Sequence, residues 1–257
     1  MGNTHLIEAK KKKDDEFYTK LEDIQKELDD YDFSDKVIYC PCDSPESQFV
    51  NYFTNYNKPK KLIYTWDDYN NHYDLFQEAD IIITNPPFSS LKDFYAIIMN
   101  YNKQFYVISP KTAICNSWSS KYLGKYRCGK NAVNKFDSPN GEKTAPCVWI
   151  TTFPEDRPLI DFPVGVNTGI EINCSDGSHY IRVGKIQDIK KEPGRIIVVP
   201  QTIIQRNYNV EVLGLVMSCH RLADGWVDLY LRTKDTYYER KFFKGELFYT
   251  SVLIKIK

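Results

Sequence analysis

Apolar, β-branched runs alternate with helical patterns through residues 14–154. The run at 80–84, Asp-Ile-Ile-Ile-Thr, is typical of a strand buried on both faces of a sheet. Because strands that alternate with helices form parallel sheets, we predict an α/β fold with a mostly parallel sheet and helices on both faces. The other strands predicted by such runs are 37–39, 62–64, 105–108 and 147–153, and the helices are 14–31, 46–56 and 91–101.

The first of these helices has the clearest period. Phe17, Leu21, Ile24, Leu28 and Tyr31 recur at spacings of four and three, which places them on one stripe of a helix that begins at about residue 14. Residues 1–13, which precede it, are predicted to be a flexible, basic lead. The sequence therefore divides into this lead, an α/β domain over 14–154 and a third region.

That third region, 155–257, is predicted to be rich in β structure and to return to the core at its end. Its apolar runs are short and are separated by Gly, Pro, Asn and Asp, which are turn residues. The predicted strands are 170–172, 179–183, 195–199, 211–216, 227–231 and 247–256.

Composition excludes several classes of protein. The chain is 42% hydrophobic with a net charge of zero, which is globular composition. Its seven cysteines are scattered and odd in number, so neither a disulfide framework nor a metal site is predicted. No apolar run approaches the roughly 20 residues that cross a bilayer, and the N-terminus lacks the apolar core of a secretory signal, so an intracellular protein is expected.

The segment Asn85-Pro86-Pro87-Phe88 directly follows the strand that is predicted to be buried on both faces, and it is the candidate catalytic element. The lone pair of an exocyclic base amine is delocalised into the ring, so the amine is a poor nucleophile. Acceptors aimed at its two N–H bonds, here the Asn85 side-chain carbonyl and the Pro86 backbone carbonyl, favour attack on a methyl donor. The paired prolines fix φ and hold the acceptors in place, and Phe88 offers a face on which a base can stack. Such a pattern arises by chance in only about 1 in 100 chains of this size.

Several substrates fit these two acceptors. They serve the N6 of adenine in DNA, the N4 of cytosine, adenine in RNA or the amide of a protein glutamine. A catalytically inactive DNA-binding relative of such an enzyme is the other alternative, although an intact Asn-Pro-Pro-Phe segment argues against it.

Beyond this motif, several other segments carry a resemblance to one family: 14–28, Cys42-Asp43 with Ser47, Phe49 and Tyr52-Phe53, 82–89, 147–152, 199–203 with Tyr208 and 212–214, and 245–257. In matching order, and over nearly the whole chain, they resemble the EcoRI-type adenine-specific DNA methyltransferases. It implies a class I, Rossmann-like methyltransferase fold with S-adenosylmethionine as methyl donor, and it makes 155–257 the region that recognises the target.

The resemblance also implies which residues hold the donor. Phe17, Tyr18 and Thr19 would contact its methionine end, and the loop after the first strand would line the site. Either of two adjacent acids would face its adenine. The residues expected in that loop are Cys42, Asp43 and Ser47, and the two acids are Asp67 and Asp68.

DNA is the expected partner. A stacked base does not reach an active-site loop, so we predict that the target adenine is flipped out of the duplex. Basic residues in two clusters are candidates for phosphate contacts, and Trp118 and Tyr122 are candidates for stacking. The basic candidates are Lys121, Lys125, Arg127, Lys130, Lys185, Lys190, Lys191 and Arg195.

Overall fold

A computed structural model of the 257-residue chain describes residues 17–66, 71–114, 119, 122, 126–153, 169–186, 189, 192–205, 208–222, 226–233, 239–244 and 251–257. The chain forms two compact units. The first comprises Met1–Ala113 and Cys128–Phe153, and the second comprises Ile114–Arg127 and Pro154–Lys257.

The first unit is built on a six-stranded sheet in the order β2-β1-β3-β4-β6-β5. Strands β1 to β4 run parallel to one another, whereas β6 runs antiparallel to β4. The strands are β1 (Val37–Cys40), β2 (Lys61–Tyr64), β3 (Ile81–Thr84), β4 (Gln104–Pro110), β5 (Arg127–Phe136) and β6 (Lys143–Thr151), and the helices are α1 (Leu21–Leu28), α2 (Gln48–Asn55), α3 (Tyr73–Glu78) and α4 (Leu91–Asn100).

This arrangement confirms the predicted α/β class and corrects its detail, because the sheet is mixed rather than mostly parallel. The predicted strands are all present, and every residue of β3 is buried, as its apolar sequence requires. The sequence analysis missed β5 and α3. Charged and polar residues break up the apolar pattern of β5, which lies next to β6 at the end of the sheet.

The first helix is shorter than predicted. It begins at Leu21 instead of residue 14, and Lys20 before it has extended backbone angles, φ −74° and ψ 145°. The cause is tertiary: Tyr18 exchanges two backbone hydrogen bonds with Asp137, at 2.8 and 2.9 Å, which holds this stretch extended. Phe17 therefore lies outside the helix whose stripe it was assigned to, while Ile24 and Leu28 are buried as expected.

A buried carboxylate fastens this helix to the sheet. Glu27 accepts hydrogen bonds from the backbone N–H groups of Lys130 and Asn131, both at 2.8 Å, and from the Asn131 side chain at 3.0 Å. Burial raises the pKa of Glu27, and these hydrogen bonds lower it in part. Gly129 lies beside this contact because a Cβ there would meet Glu27 and would come within 2.8 Å of the Cβ of Trp149.

A tight turn at 137–142 joins β5 to β6. Gly141 has a φ of +103°, which favours glycine, and its N–H bonds to the carbonyl of Ser138 at 3.0 Å. The Ser138 hydroxyl in turn donates to the Gly141 carbonyl at 2.7 Å. The sequence Asp-Ser-Pro-Asn-Gly over 137–141 is therefore the local cause of the turn.

The second unit contains a seven-stranded sheet in the order β12-β11-β10-β13-β9-β8-β7. The last strand of the chain is central in it and pairs antiparallel with β10 and β9. The strands are β7 (Ile170–Asn173), β8 (His179–Arg182), β9 (Ile196–Pro200), β10 (Val210–Arg221), β11 (Trp226–Thr233), β12 (Glu239–Lys244) and β13 (Ser251–Ile256). Each of the six predicted strands has a counterpart here, but β10 is longer than predicted, with 12 residues, and β12 was not predicted. Residues 247–250 of the last predicted strand lie outside the described residues.

Among the residues that the structure describes, no helix has the length and apolar character needed to span a membrane.

Candidate active site

The sheet of the first unit has a topological switch point between β1 and β3. The chain leaves β1 toward β2 on one side, and then places β3 and β4 on the other side of β1. In open α/β sheets, ligands bind outside the carboxyl ends of the strands at such a point. The carboxyl ends concerned are Cys40 and Thr84, so the loops that follow them are the candidate site.

A hydrogen bond joins these two loops. The hydroxyl of Thr84, at the end of β3, donates to Oδ2 of Asp43 at 2.6 Å, and both residues are buried. The Asp43 N–H donates to the carbonyl of Thr65 at 3.1 Å, which ties the first loop to the end of β2 as well. Asp43 therefore lies where the carboxyl ends of three neighbouring strands meet.

The Asp43 carboxyl is electrostatically unusual. Burial raises its pKa from 3.8 to about 6, and hydrogen bonds from Thr84 and Ser47 oppose that rise. Ser47 is also the N-cap of α2, where its side chain accepts a hydrogen bond from the Val50 N–H at 3.2 Å. A buried carboxylate stabilised by hydroxyl groups favours a positively charged ligand beside it.

Asn85 follows directly on β3, and its amide is held in one orientation. Its Nδ2 donates to the backbone carbonyl of Phe17 at 2.6 Å. Because a carbonyl only accepts, the NH₂ group must face Phe17 and the amide oxygen must face away. That Oδ1 is buried and has no hydrogen-bond partner among the described residues.

Thr19 presents a second buried oxygen of this kind. Its Oγ1 has no partner in the described part of the chain, and the residue is 5% exposed. Buried hydroxyls and amides are nearly always hydrogen-bonded, so two such oxygens on neighbouring segments mark a place for a polar ligand.

An aromatic cluster adjoins these atoms. Phe88 stacks on Phe17 with ring centroids 5.0 Å apart and planes at 30°, and Phe136 meets both rings edge-on. The ammonium of Lys143 lies 5.3 Å from the centre of the Phe17 ring. One face of Phe88 is therefore covered by Phe17.

The remaining predicted cofactor and catalytic residues are placed as follows. Pro86 is buried and Pro87 is exposed, and the Pro87 carbonyl accepts hydrogen bonds from the N–H and the hydroxyl of Ser90. Cys42 is half-buried in the first loop, and Tyr18 is 38% exposed. Asp67 and Asp68 lie outside the described residues.

Two of the basic residues proposed for DNA contact form ion pairs with acids in the described part of the chain. Lys130 bonds to Asp30 at 2.7 Å and lies over the ring of Tyr31, and Arg195 pairs with Glu192. Arg127 is half-buried in β5, and Lys185 is exposed. The other basic candidates, Lys121, Lys125, Lys190 and Lys191, lie outside the described residues, as does Trp118, whereas Tyr122 is buried.

Two site residues were missed by the sequence analysis. Thr84 was assigned only to the strand, although a hydroxyl at the last position of an otherwise apolar strand is a usable signal. Phe136 lies in a strand that was not predicted, so no sequence pattern pointed to it.

Comparisons with known proteins identify the family that the chain resembles. A family model described as the adenine-specific methyltransferase EcoRI matches residues 5–74 and 67–123. Those segments contain the switch-point loops and Asn85.

Three relatives extend the match. The Type II methyltransferase M.MgeORF184P of Mycoplasma genitalium is 32% identical over 82% of this chain and 85% of its own length. M.EcoRI of Escherichia coli is 26% identical over 83% of this chain and 89% of its own length. M.MpnI of Mycoplasma pneumoniae is 31% identical over 41% of this chain and 44% of its own length. A solved structure, precorrin 8W decarboxylase from Methanobacterium thermoautotrophicum, overlaps 52% of this chain at 12% identity with a TM-score of 0.34.

The matches define the class of the protein, an adenine-specific methyltransferase. Within that class, the chain belongs to the EcoRI-type family, whose substrate is DNA.

Proposed function

We propose that this DNA adenine methyltransferase uses S-adenosylmethionine and transfers its methyl group at Asn85-Pro86-Pro87-Phe88 to N6 of an adenine flipped out of the duplex. The observation that carries the proposal is the Asn85 amide. Its oxygen is buried without a partner among the described residues while its nitrogen is fixed by Phe17, so the side chain is oriented as an acceptor before any substrate binds.

When bound, S-adenosylmethionine supplies a methyl group on a positively charged sulfur: the carbon–sulfur bond breaks, a carbon–nitrogen bond to N6 forms, and the nitrogen releases one proton to solvent. Asn85 Oδ1 and the Pro86 carbonyl accept from the two N–H bonds of the amine and stabilise its developing positive charge. The Pro87 carbonyl is already bonded to Ser90, so Pro86 provides the second acceptor.

The described residues fit the methionine end of the donor. Asp43 is a buried carboxylate that favours a cation, and the donor carries an ammonium group. Thr19 offers a hydroxyl oxygen with no partner in the described part of the chain, and Phe17 and Tyr18 precede it in the same extended segment. We assign Cys42 and Ser47 to the wall of this site, and Asp67 or Asp68 to the adenine of the donor.

The strand order supports a class I methyltransferase fold for the first unit. Four parallel strands with a switch point between β1 and β3 form a Rossmann-like half. The antiparallel β6 lies between β4 and β5, which makes the sheet mixed without disturbing that switch point.

The aromatic cluster supports base stacking at Phe88. Phe17 backs one face of the ring, so the flipped adenine stacks on the opposite face, an interaction worth about 1–3 kcal/mol. Phe136 contacts the edges of both rings and keeps them from turning.

For the duplex itself, the candidate phosphate contacts are those named from the sequence. Their charges predict that DNA affinity falls with salt. Charge reversal at Lys125 and Arg127 tests that pair, and an unchanged salt slope would remove it.

The test of the proposal is methylation of mixed-sequence DNA with labelled donor, followed by identification of the modified base. Wild type is expected to produce N6-methyladenine. Asn85→Ala is expected to lower turnover roughly 10²–10³-fold, the usual loss when one oriented hydrogen-bonding group is removed from an active site. The variant is expected to keep the thermal stabilisation by S-adenosylmethionine. The matched control is Asn55→Ala, on the exposed end of α2.

The other outcomes separate the alternatives. Label on cytosine, or label only on RNA or protein, would replace DNA adenine as the substrate. No label and no thermal shift with the donor would identify an inactive relative. Full turnover by Asn85→Ala would refute the assigned role of the amide.

A further inference from the structure

The turn at 137–142 is fastened to the extended segment Phe17–Lys20. Two backbone hydrogen bonds join Tyr18 to Asp137, and the Lys20 ammonium bonds to Glu142 Oε2 at 2.6 Å. The same ammonium lies 3.6 Å from Asp137 Oδ1. Both main chain and side chains of the turn therefore hold this segment.

The Lys20–Glu142 pair stays charged over the working range of pH. The hydrogen bond from Lys20, followed by one from Lys135, lowers the pKa of Glu142 to about 2, and Glu142 raises the pKa of Lys20. Lys135 contacts the other carboxylate oxygen, Oε1, at 2.9 Å. Lys135 therefore binds the same acid from β5, whereas Lys20 belongs to the segment that the turn holds.

The segment held in this way orients the catalytic amide. Phe17 begins it, and the carbonyl of Phe17 accepts from Asn85 Nδ2 at 2.6 Å. If the segment moves away, that hydrogen bond is lost and no longer keeps the amide oxygen turned toward the base. A rotated amide would present its NH₂ group to the amine. The base amine would then face an N–H group, and it would lose the stabilisation that the Asn85 oxygen provides.

We propose that Lys20 and Glu142 are positioning residues of the methyltransferase: their ion pair holds Phe17–Lys20 in place, and the Phe17 carbonyl thereby fixes Asn85 with its oxygen toward the base. This inference rests on the proposed function, because it assigns how the catalytic amide is kept in its orientation. Neither residue is assigned a contact with the base.

The experiment compares single-turnover methylation at saturating donor and DNA. Lys20→Glu places a carboxylate beside Asp137 and Glu142. The rate is expected to fall about tenfold. This loss lies between the small effect of breaking a surface ion pair and the roughly hundredfold effect of displacing a catalytic group. Adding Glu142→Lys restores an opposite pair and returns the rate to within about threefold of wild type. The matched control, Lys135→Glu, reverses a charge at the same acid and is expected to stay within about twofold.

A second comparison tests that the effect passes through the amide. In Asn85→Asp the side chain still accepts hydrogen bonds but no longer donates to the Phe17 carbonyl. Lys20→Glu is therefore expected to slow the Asn85→Asp enzyme by less than about twofold. A general structural effect would slow both backgrounds equally. If Lys20→Glu melts below the assay temperature, Lys20→Met, which removes the pair without repulsion, takes its place with an expected loss of about twofold to fivefold.

The inference is overturned if Lys20→Glu reacts at the wild-type rate, if Glu142→Lys does not rescue it, or if the loss is the same in both Asn85 backgrounds. Failure of the proposed function looks different, because wild type would then transfer no methyl group or Asn85→Ala would remain fully active.

Discussion

Replacing Asp43 by Asn removes the buried acid at the switch point and leaves its shape. The new side-chain oxygen still accepts from the Thr84 hydroxyl, and the new NH₂ group can donate to Ser47. What changes is the charge, and burial raises the pKa of that carboxyl from 3.8 to about 6. The variant therefore isolates how much the burial of this ionisable carboxyl lowers the free energy of unfolding.

The sign follows from proton binding. Between pH 4 and 6 the folded protein holds the Asp43 proton while the unfolded chain has lost it, so stability falls as pH rises through this window. A pKa difference from 3.8 to about 6 corresponds to about 3 kcal/mol, since each tenfold change in proton affinity is worth about 1.4 kcal/mol. The neutral amide of the variant carries no such penalty. We therefore expect the free energy of unfolding of Asp43→Asn, measured relative to wild type, to increase by about 3 kcal/mol as the pH rises from 4 to 7.

The assay is urea unfolding of both proteins in the absence of S-adenosylmethionine, monitored by circular dichroism at several values of pH. The matched control is Asp93→Asn, which makes the same change at an exposed position of α4. Donor binding is measured on the same samples. Because the ionised carboxylate is proposed to face the donor's ammonium group, wild type should bind more tightly as pH rises through 6, and Asp43→Asn should bind weakly at every pH.

Two results would refute this reasoning. A stability difference between wild type and Asp43→Asn that does not change with pH would mean that Asp43 is not held as a buried, weakened acid. Unchanged donor affinity in the stabilised variant would separate Asp43 from the donor site.

Two further substitutions test the surroundings of the site. Thr84→Val removes a hydroxyl that donates to Asp43 at 2.6 Å and that lowers the pKa of this carboxyl. The pH at which the affinity for S-adenosylmethionine rises is therefore expected to move above 6. An unchanged pH profile would contradict the contact. Gly129→Ala places a methyl group against Glu27 and Trp149, and we expect a loss of about 1–3 kcal/mol in the free energy of unfolding, measured by urea denaturation. A neutral Gly129→Ala would mean that α1 and β5 are not packed as closely as the structure has them.

The position of the proposed catalytic segment after a buried strand was predictable from the sequence because the pattern is local. Asn85-Pro86-Pro87-Phe88 follows a run of isoleucines whose pattern fixes a buried strand, and parallel strands bring their carboxyl ends to one edge. The family was predictable for a related reason, since the order of many short segments along the chain is itself sequence information.

Other features depend on residues far apart in the chain, and no local pattern contains them. Phe17 has the spacing of a helix, yet Asp137, more than a hundred positions away, pairs with Tyr18 and keeps the segment extended. The same long-range contact brings the Phe17 carbonyl to Asn85 and so decides which end of the amide faces the site.

Periodicity and residue type act over a few neighbouring positions, and they were sufficient to predict the α/β class and the buried strand that precedes Asn85-Pro86-Pro87-Phe88. The direction of β6, the burial that weakens Asp43 as an acid and the orientation of Asn85 follow from the tertiary fold. Each of these is set by partners from distant segments, whose hydrogen bonds and desolvation outweigh local preference.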